Sequence, residues 1–217
     1  MSNLLKKEFR LCMHPTAPLF LGLCALVLIP NYPYAVSFFY MTLGVFFICL
    51  TGRENHDAAY TASLPVSRRE IVRGRVLFVC CLEAADLLVC GLMVWLKGFI
   101  GYTPNQAGMD ANLALVGEGL IVFGLFNLIF FPLYYKNITK VGMPFLVASA
   151  AVFLYILLAI VSTYAVPFVR DALDTPDPSH LPEKLIFVGA ALLFFLCATA
   201  LGLSRAVRNF EQFDLSL

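Results

Sequence analysis

Glu83 and Asp86 stand three residues apart in an otherwise apolar stretch, Val76 to Ile100, whose only other charge is Lys97. That spacing sets both carboxyls on neighbouring parts of one helix face. Acids so placed can line a path for a cation or polar solute, relay a proton, or tie helices together. Just upstream lies Ser63-Leu64-Pro65-Val66-Ser67-Arg68-Arg69-Glu70-Ile71-Val72-Arg73-Gly74-Arg75, where the chemistry is recognition by fixed positive charge. Ser67 can accept from the Glu70 N–H while the Glu70 carboxylate reaches back, and Val66 and Ile71 occupy the two positions of a hydrophobic staple. Such a cap contributes about 1 kcal/mol, and Pro65 discourages a helix from entering from the other side. The segment is therefore expected to start a helix as a basic turn, with Gly74 as a point where it can bend.

Other reactive chemistry finds little support. His14, His56 and His180 are scattered, and although Glu54 and Asp57 flank His56, no HExxH or paired acidic motif sits in an apolar stretch. Cys12, Cys24, Cys49, Cys80, Cys81, Cys90 and Cys197 lack CxxC or Cys/His spacing and read as small hydrophobes. No GxxxxGK[ST] loop is present, so the chain does not hydrolyse ATP by P-loop chemistry. A net charge of +1 arises from segregated charges that cancel, and nothing supports nucleic-acid binding.

The elements that must position these residues are membrane spans. The chain is 60% hydrophobic and 13% charged, against about 25% charged for a soluble domain, and its mean hydropathy is +0.84. The 217 residues hold about six spans of roughly 20 residues each, leaving little but loops. Residues 11–52 contain no Lys, Arg, Asp or Glu and are divided by the turn cluster Pro30-Asn31-Tyr32-Pro33. The expected fold is all-α: one transmembrane domain over residues 1–217 with spans at about 15–29, 34–52, 76–100, 113–135, 144–166 and 185–203.

Charge orients the spans. Lys6, Lys7, Arg10, Arg53, Arg68, Arg69, Arg73, Arg75, Lys136, Lys140, Arg205 and Arg208 fall on one side, and only Lys97, Arg170 and Lys184 on the other. The basic side, with both termini, is expected in the cytoplasm. Pro167 to Lys184 is then an acidic outer loop, and the Asn137-Ile138-Thr139 sequon faces inward and reads as chance. Asn3 to Cys12, if helical, gathers Leu4, Leu5, Phe9, Leu11 and Cys12 on one arc opposite Lys6, Lys7 and Arg10, as in a helix lying among headgroups. Glu8 breaks that arc; it either reaches water or faces protein, with an arginine of the 68–75 loop as partner.

A charge at mid-membrane costs about 2.5–3.5 kcal/mol on insertion scales, and no Lys or Arg lies at that depth in any span. Glu83 and Asp86 must therefore be protonated, hydrogen-bonded within the bundle or wetted by a cavity. Two readings stay open: a translocation path favouring cationic or polar cargo, or polar contacts between helices. Glu118, nearer the outer surface, is expected to meet Lys97. Asn127 is placed to satisfy the backbone freed by Pro132. Ala198, Gly202, Gly117, Gly119 and Gly124 allow close helix approach, within the chain or in a dimer. Tyr32, Tyr34, Tyr134, Tyr135 and Tyr164 read as interfacial anchors.

Leu5-Lys6-Lys7-Glu8-Phe9, the Ser63–Val72 segment and Pro132-Leu133-Tyr134-Tyr135-Lys136 together resemble small permeases of the ABC-2 transporter family. The resemblance implies a membrane subunit of an ATP-driven exporter that dimerises with itself or a paralogue and docks two ATPase subunits. ATP and Mg would be held by those ATPases and no cofactor by this chain. It further implies a connecting helix (Lys6, Lys7, Glu8, Phe9), a coupling helix (Ser67, Arg68, Arg69, Glu70, Arg73) and a peptide or small-molecule cargo. The intramembrane acids Glu83, Asp86 and Glu118 are the candidate translocation path, and the plasma membrane is the expected location. The alternative is a secondary transporter or channel driven by an ion gradient through Glu83 and Asp86.

Overall fold

A computed structural model of the chain describes residues 2–101 and 103–213, and among these every regular element is helical. In order they are α1 (Ser2–Lys7) running into a π turn (Glu8–Cys12), α2 (Thr16–Gly22) running into a 3-10 turn (Leu23–Leu28), α3 (Ala35–Glu54), α4 (Asp57–Ala62), α5 (Arg68–Ile100), α6 (Leu113–Lys136), α7 (Gly142–Ala165), a π turn (Val169–Leu173) and α8 (Leu181–Gln212). α3, α5, α6, α7 and α8 are each long and apolar enough to cross a membrane.

The expected first span takes another form. Residues Thr16–Leu28 are bent by 83° from Asn3–Cys12 and change from α to 3-10 geometry after Gly22. Seven α residues rise about 10 Å and six 3-10 residues about 12 Å, short of a hydrocarbon layer of about 30 Å. Contacts nevertheless carry the two halves together, residues 8–28, along α5. Glu8 pairs with Arg75, the Cys24 thiol lies 3.3 Å from Asp86, and Val27 O accepts from Lys97 Nζ at 3.0 Å. Arg75 and Lys97 are about 33 Å apart along the helix, so the broken segment climbs beside most of α5. Pro15 and Pro30, which confine it, explain why no longer helix forms.

α6 is the most enclosed of the long helices and packs most extensively against α8. Its glycines make that approach possible. A Cβ at Gly117 would lie 2.7 Å from Phe187, one at Gly124 3.0 Å from the Phe195 backbone, and one at Gly202 of α8 2.6 Å from Asn127 O. These contacts advance together along both helices, so α6 and α8 run side by side in the same direction. The small-residue faces are thus filled within the chain, and Gly119 likewise faces Phe38 and Leu87. α7 and α8 turn Leu154, Leu157, Leu158, Leu192, Leu193 and Leu196 outward, as lipid-facing helices do.

Three expectations are corrected here. Asn127 Nδ2 donates to Glu83 and Thr199 rather than to the Leu128 carbonyl that Pro132 leaves without its helical donor. Tyr34, Tyr134 and Tyr135 are buried core residues rather than interfacial anchors, with Tyr134 stacked on Phe130 and Tyr135 edge-on to Phe210. Lys97 does not meet Glu118; its ammonium bonds Val27 O and the Tyr34 hydroxyl and lies 4.4 Å from the Tyr34 ring centroid.

Candidate functional site

The capping box forms as its sequence requires. Ser67 N donates to Glu70 Oε2 at 2.9 Å and Glu70 N donates to Ser67 Oγ at 3.2 Å, and this starts α5. From Arg68 the helix continues unbroken to Ile100, so Gly74 is not a bend. Gly74 instead lies against α1, where a Cβ would meet Leu4 Cβ at 3.5 Å. The basic turn and the span that follows are one rod of 33 residues.

Four charged side chains bind that rod to its neighbours. Arg75 Nε lies 2.6 Å from Glu8 Oε2, Arg75 Nη2 lies 2.6 Å from Asp57 Oδ2, and Lys7 Nζ lies 2.6 Å from Asp57 Oδ1. Lys7 also donates to Thr61 Oγ1 at 2.8 Å, so α1, α4 and α5 meet at one point. Glu8 is only 3% and Arg75 5% exposed; between the two readings of Glu8, it faces protein. Burial alone would raise the Asp57 carboxyl, but the Arg75 guanidinium and Lys7 ammonium hold it below the usual carboxylate range. Carboxylates of Glu8 and Asp57 approach the Cys12 thiol closely enough to share an ion, yet Arg75 and Lys7 already balance their charge. Lys6 and Phe9 face outward, with the Phe9 ring edge-on to Phe78 at 4.8 Å.

The three arginines at the head of α5 point differently. Arg68 Nη1 donates to Phe210 O at 3.0 Å, Glu211 O at 3.2 Å and Phe213 O at 2.5 Å, and its guanidinium lies 5.8 Å from the Phe210 ring centroid. Arg69 has a side chain 56% exposed and only a 3.4 Å contact with Glu211. Arg73 is exposed. The sequence gives no signal for the inward turn of Arg68, because its partners lie more than 140 residues away.

Deeper in the bundle, Glu83 and Asp86 are enclosed and hold different neighbours. Asn127 Nδ2 donates to Glu83 Oε2 at 2.9 Å and reaches Thr199 Oγ1 at 3.2 Å, linking α5, α6 and α8. Asp86 instead receives the Cys24 thiol at 3.3 Å, linking α5 to the broken first passage. Glu118 is also buried, on α6. Glu83 and Asp86, neighbours on α5, thus each contact a different helix, and Glu118 lies on α6 with neither set of partners. The histidines do not converge either. His14 stacks on Phe47, while His180 sits beside Glu183.

A family model for the ABC-2 family transporter protein matches residues 3–211. The chain belongs to that family. Its membrane subunits are transport components rather than enzymes and generally work with an ABC ATPase subunit. With its long apolar helices, this ABC-2 permease is a multi-pass membrane protein. No curated protein and no solved structure matches it.

Proposed function

We propose that this ABC-2 permease is half of an ATP-driven exporter, seated in the plasma membrane with both termini in the cytoplasm. It pairs with a second copy or a paralogue and couples to two ATPase subunits, which hold ATP and Mg, through the turn at 67–75. The observation that carries this reading is the head of α5. Arg69 and Arg73 stand exposed on a capped turn that is continuous with a 33-residue helix. A push on that turn moves the whole rod, because no break separates it from the span. Glu8 and Lys7 make the N-terminal segment travel with it, which is the task of a connecting helix.

The cargo is a peptide or small molecule. An ion-gradient mechanism through Glu83 and Asp86 has less support, since each acid is enclosed and bonded to a neighbouring helix. The test is charge reversal at Arg69 and Arg73 in the assembled complex. Export should uncouple from ATP hydrolysis while membrane insertion is unchanged; unaltered export would remove the turn from the mechanism.

A further inference from the structure

The C-terminal end of α8 is held from two sides. On one, Arg68 gathers three of its last carbonyls and covers the Phe210 ring, while Arg69 reaches Glu211. On the other, Asn209 donates to Pro132 O of α6, and the buried Phe210 ring packs edge-on to Tyr135 at 5.2 Å. Terminal carbonyls of a helix can be satisfied by water or by a glycine turn. Here they are satisfied by the first residue of a different helix, fixed in place by the Ser67–Glu70 box. A cation at that position also suits the negative end of the helix dipole. Any displacement of the head of α5 therefore draws the end of α8 with it, and α8 passes it to α6 through the close packing at Gly202 and Gly124.

We propose that Arg68 is a positioning residue that transmits movement of the basic turn to the end of α8, making the last span a second output of the docking site. This rests on the turn being the ATPase contact proposed above. The three arginines then divide the work: Arg69 and Arg73 face the partner, and Arg68 faces inward.

The experiment is hydrogen exchange read by mass spectrometry on the full permease–ATPase complex in lipid nanodiscs, with and without ATP plus orthovanadate. In the wild type, exchange should change both at 68–75 and at 204–212. In Arg68→Ala the change at 68–75 should persist and that at 204–212 should be lost. Arg68→Lys, which keeps the charge but offers one nitrogen, should restore part of it. If Arg68→Ala fails to assemble, Arg68→Lys alone decides, through a response weakened more at 204–212 than at 68–75. An equal response at 204–212 in wild type and variant overturns the proposal, as does a wild type silent at 204–212 alone. Silence at both segments in the wild type would remove the docking reading and this inference with it.

Discussion

Glu8 and Arg75, on opposite sides of the α1–α5 contact, form a 2.6 Å ion pair that is almost wholly enclosed, and Asp57 shares the same guanidinium. Their losses should be unequal. Glu8→Gln leaves Arg75 with Asp57, so the cost should be that of a charged hydrogen bond, about 1.5–3 kcal/mol. Arg75→Met leaves the buried Glu8 and the half-buried Asp57 carboxylates sharing Lys7, and removing one partner from a buried pair such as Glu8–Arg75 costs about 3–5 kcal/mol. Unfolding midpoints in detergent should rank wild type above Glu8→Gln and Glu8→Gln above Arg75→Met. The reverse order of the two variants would mean that Arg75 is not the hub.

The two ends of the bundle should respond to acid in opposite senses. Asp57 titrates below its ordinary value, so its stabilising contribution is present above about pH 4 and is lost as pH falls through the lowered folded value. Asp174, in the loop between α7 and α8, is pushed up to about 6 by burial, against the opposing hydrogen bond from Asp110 N. Between its unfolded value and about 6 the folded state holds the extra proton, so this contribution falls as pH rises across that window. Asp174→Asn should flatten the decline between about pH 4 and 6, read as the unfolding midpoint against pH. An unchanged slope would contradict the assignment.

Asn127 joins three helices through Glu83 and Thr199. Its replacement by Leu leaves Glu83 without its donor and should destabilise by about 1 kcal/mol, the usual size of an inter-helix polar contact in a membrane. Thr199→Val should cost less, since the Glu83 contact survives. Neutralising both acids, as Glu83→Gln with Asp86→Asn, should leave export intact. Loss of export with an unchanged unfolding midpoint would return these acids to a translocation path.

Gly202 presses on the α6 backbone, where an added Cβ would stand 2.6 Å from Asn127 O. Backbone cannot yield as a side chain does. Gly202→Ala should therefore destabilise by about 1–3 kcal/mol, whereas Gly189→Ala, which meets nothing within 4 Å, should not. Equal midpoints for the two would contradict the parallel α6–α8 packing.

What was legible in the sequence was local. The Ser67–Glu70 box, the turn at Pro30 to Pro33 and the apolar lengths of α3 and α5 to α8 each depend on residues a few positions apart. The choice of an arginine as partner for Glu8 was also open to reading, because Glu8 interrupts an apolar arc. The partners of Arg68, Lys97 and Asn127 were not legible, since each depends on how distant helices rotate and at what height they meet. Gly74 reads as a hinge in sequence, but it lies inside the unbroken α5, where an added Cβ would make only ordinary contact with Leu4. The broken geometry of the first passage is not legible for a related reason: composition reports that a segment is apolar, not that it holds one helical geometry.

The proposed seat of an ATPase on the head of α5 is tested most directly by a photo-crosslinking amino acid placed at position 73, and separately at position 171 between α7 and α8, in cells that make both subunits. Crosslinks to the ATPase are expected from position 73 and none from position 171. Capture of the ATPase from 171, or its absence at 73 in a complex that otherwise assembles, would contradict the assignment.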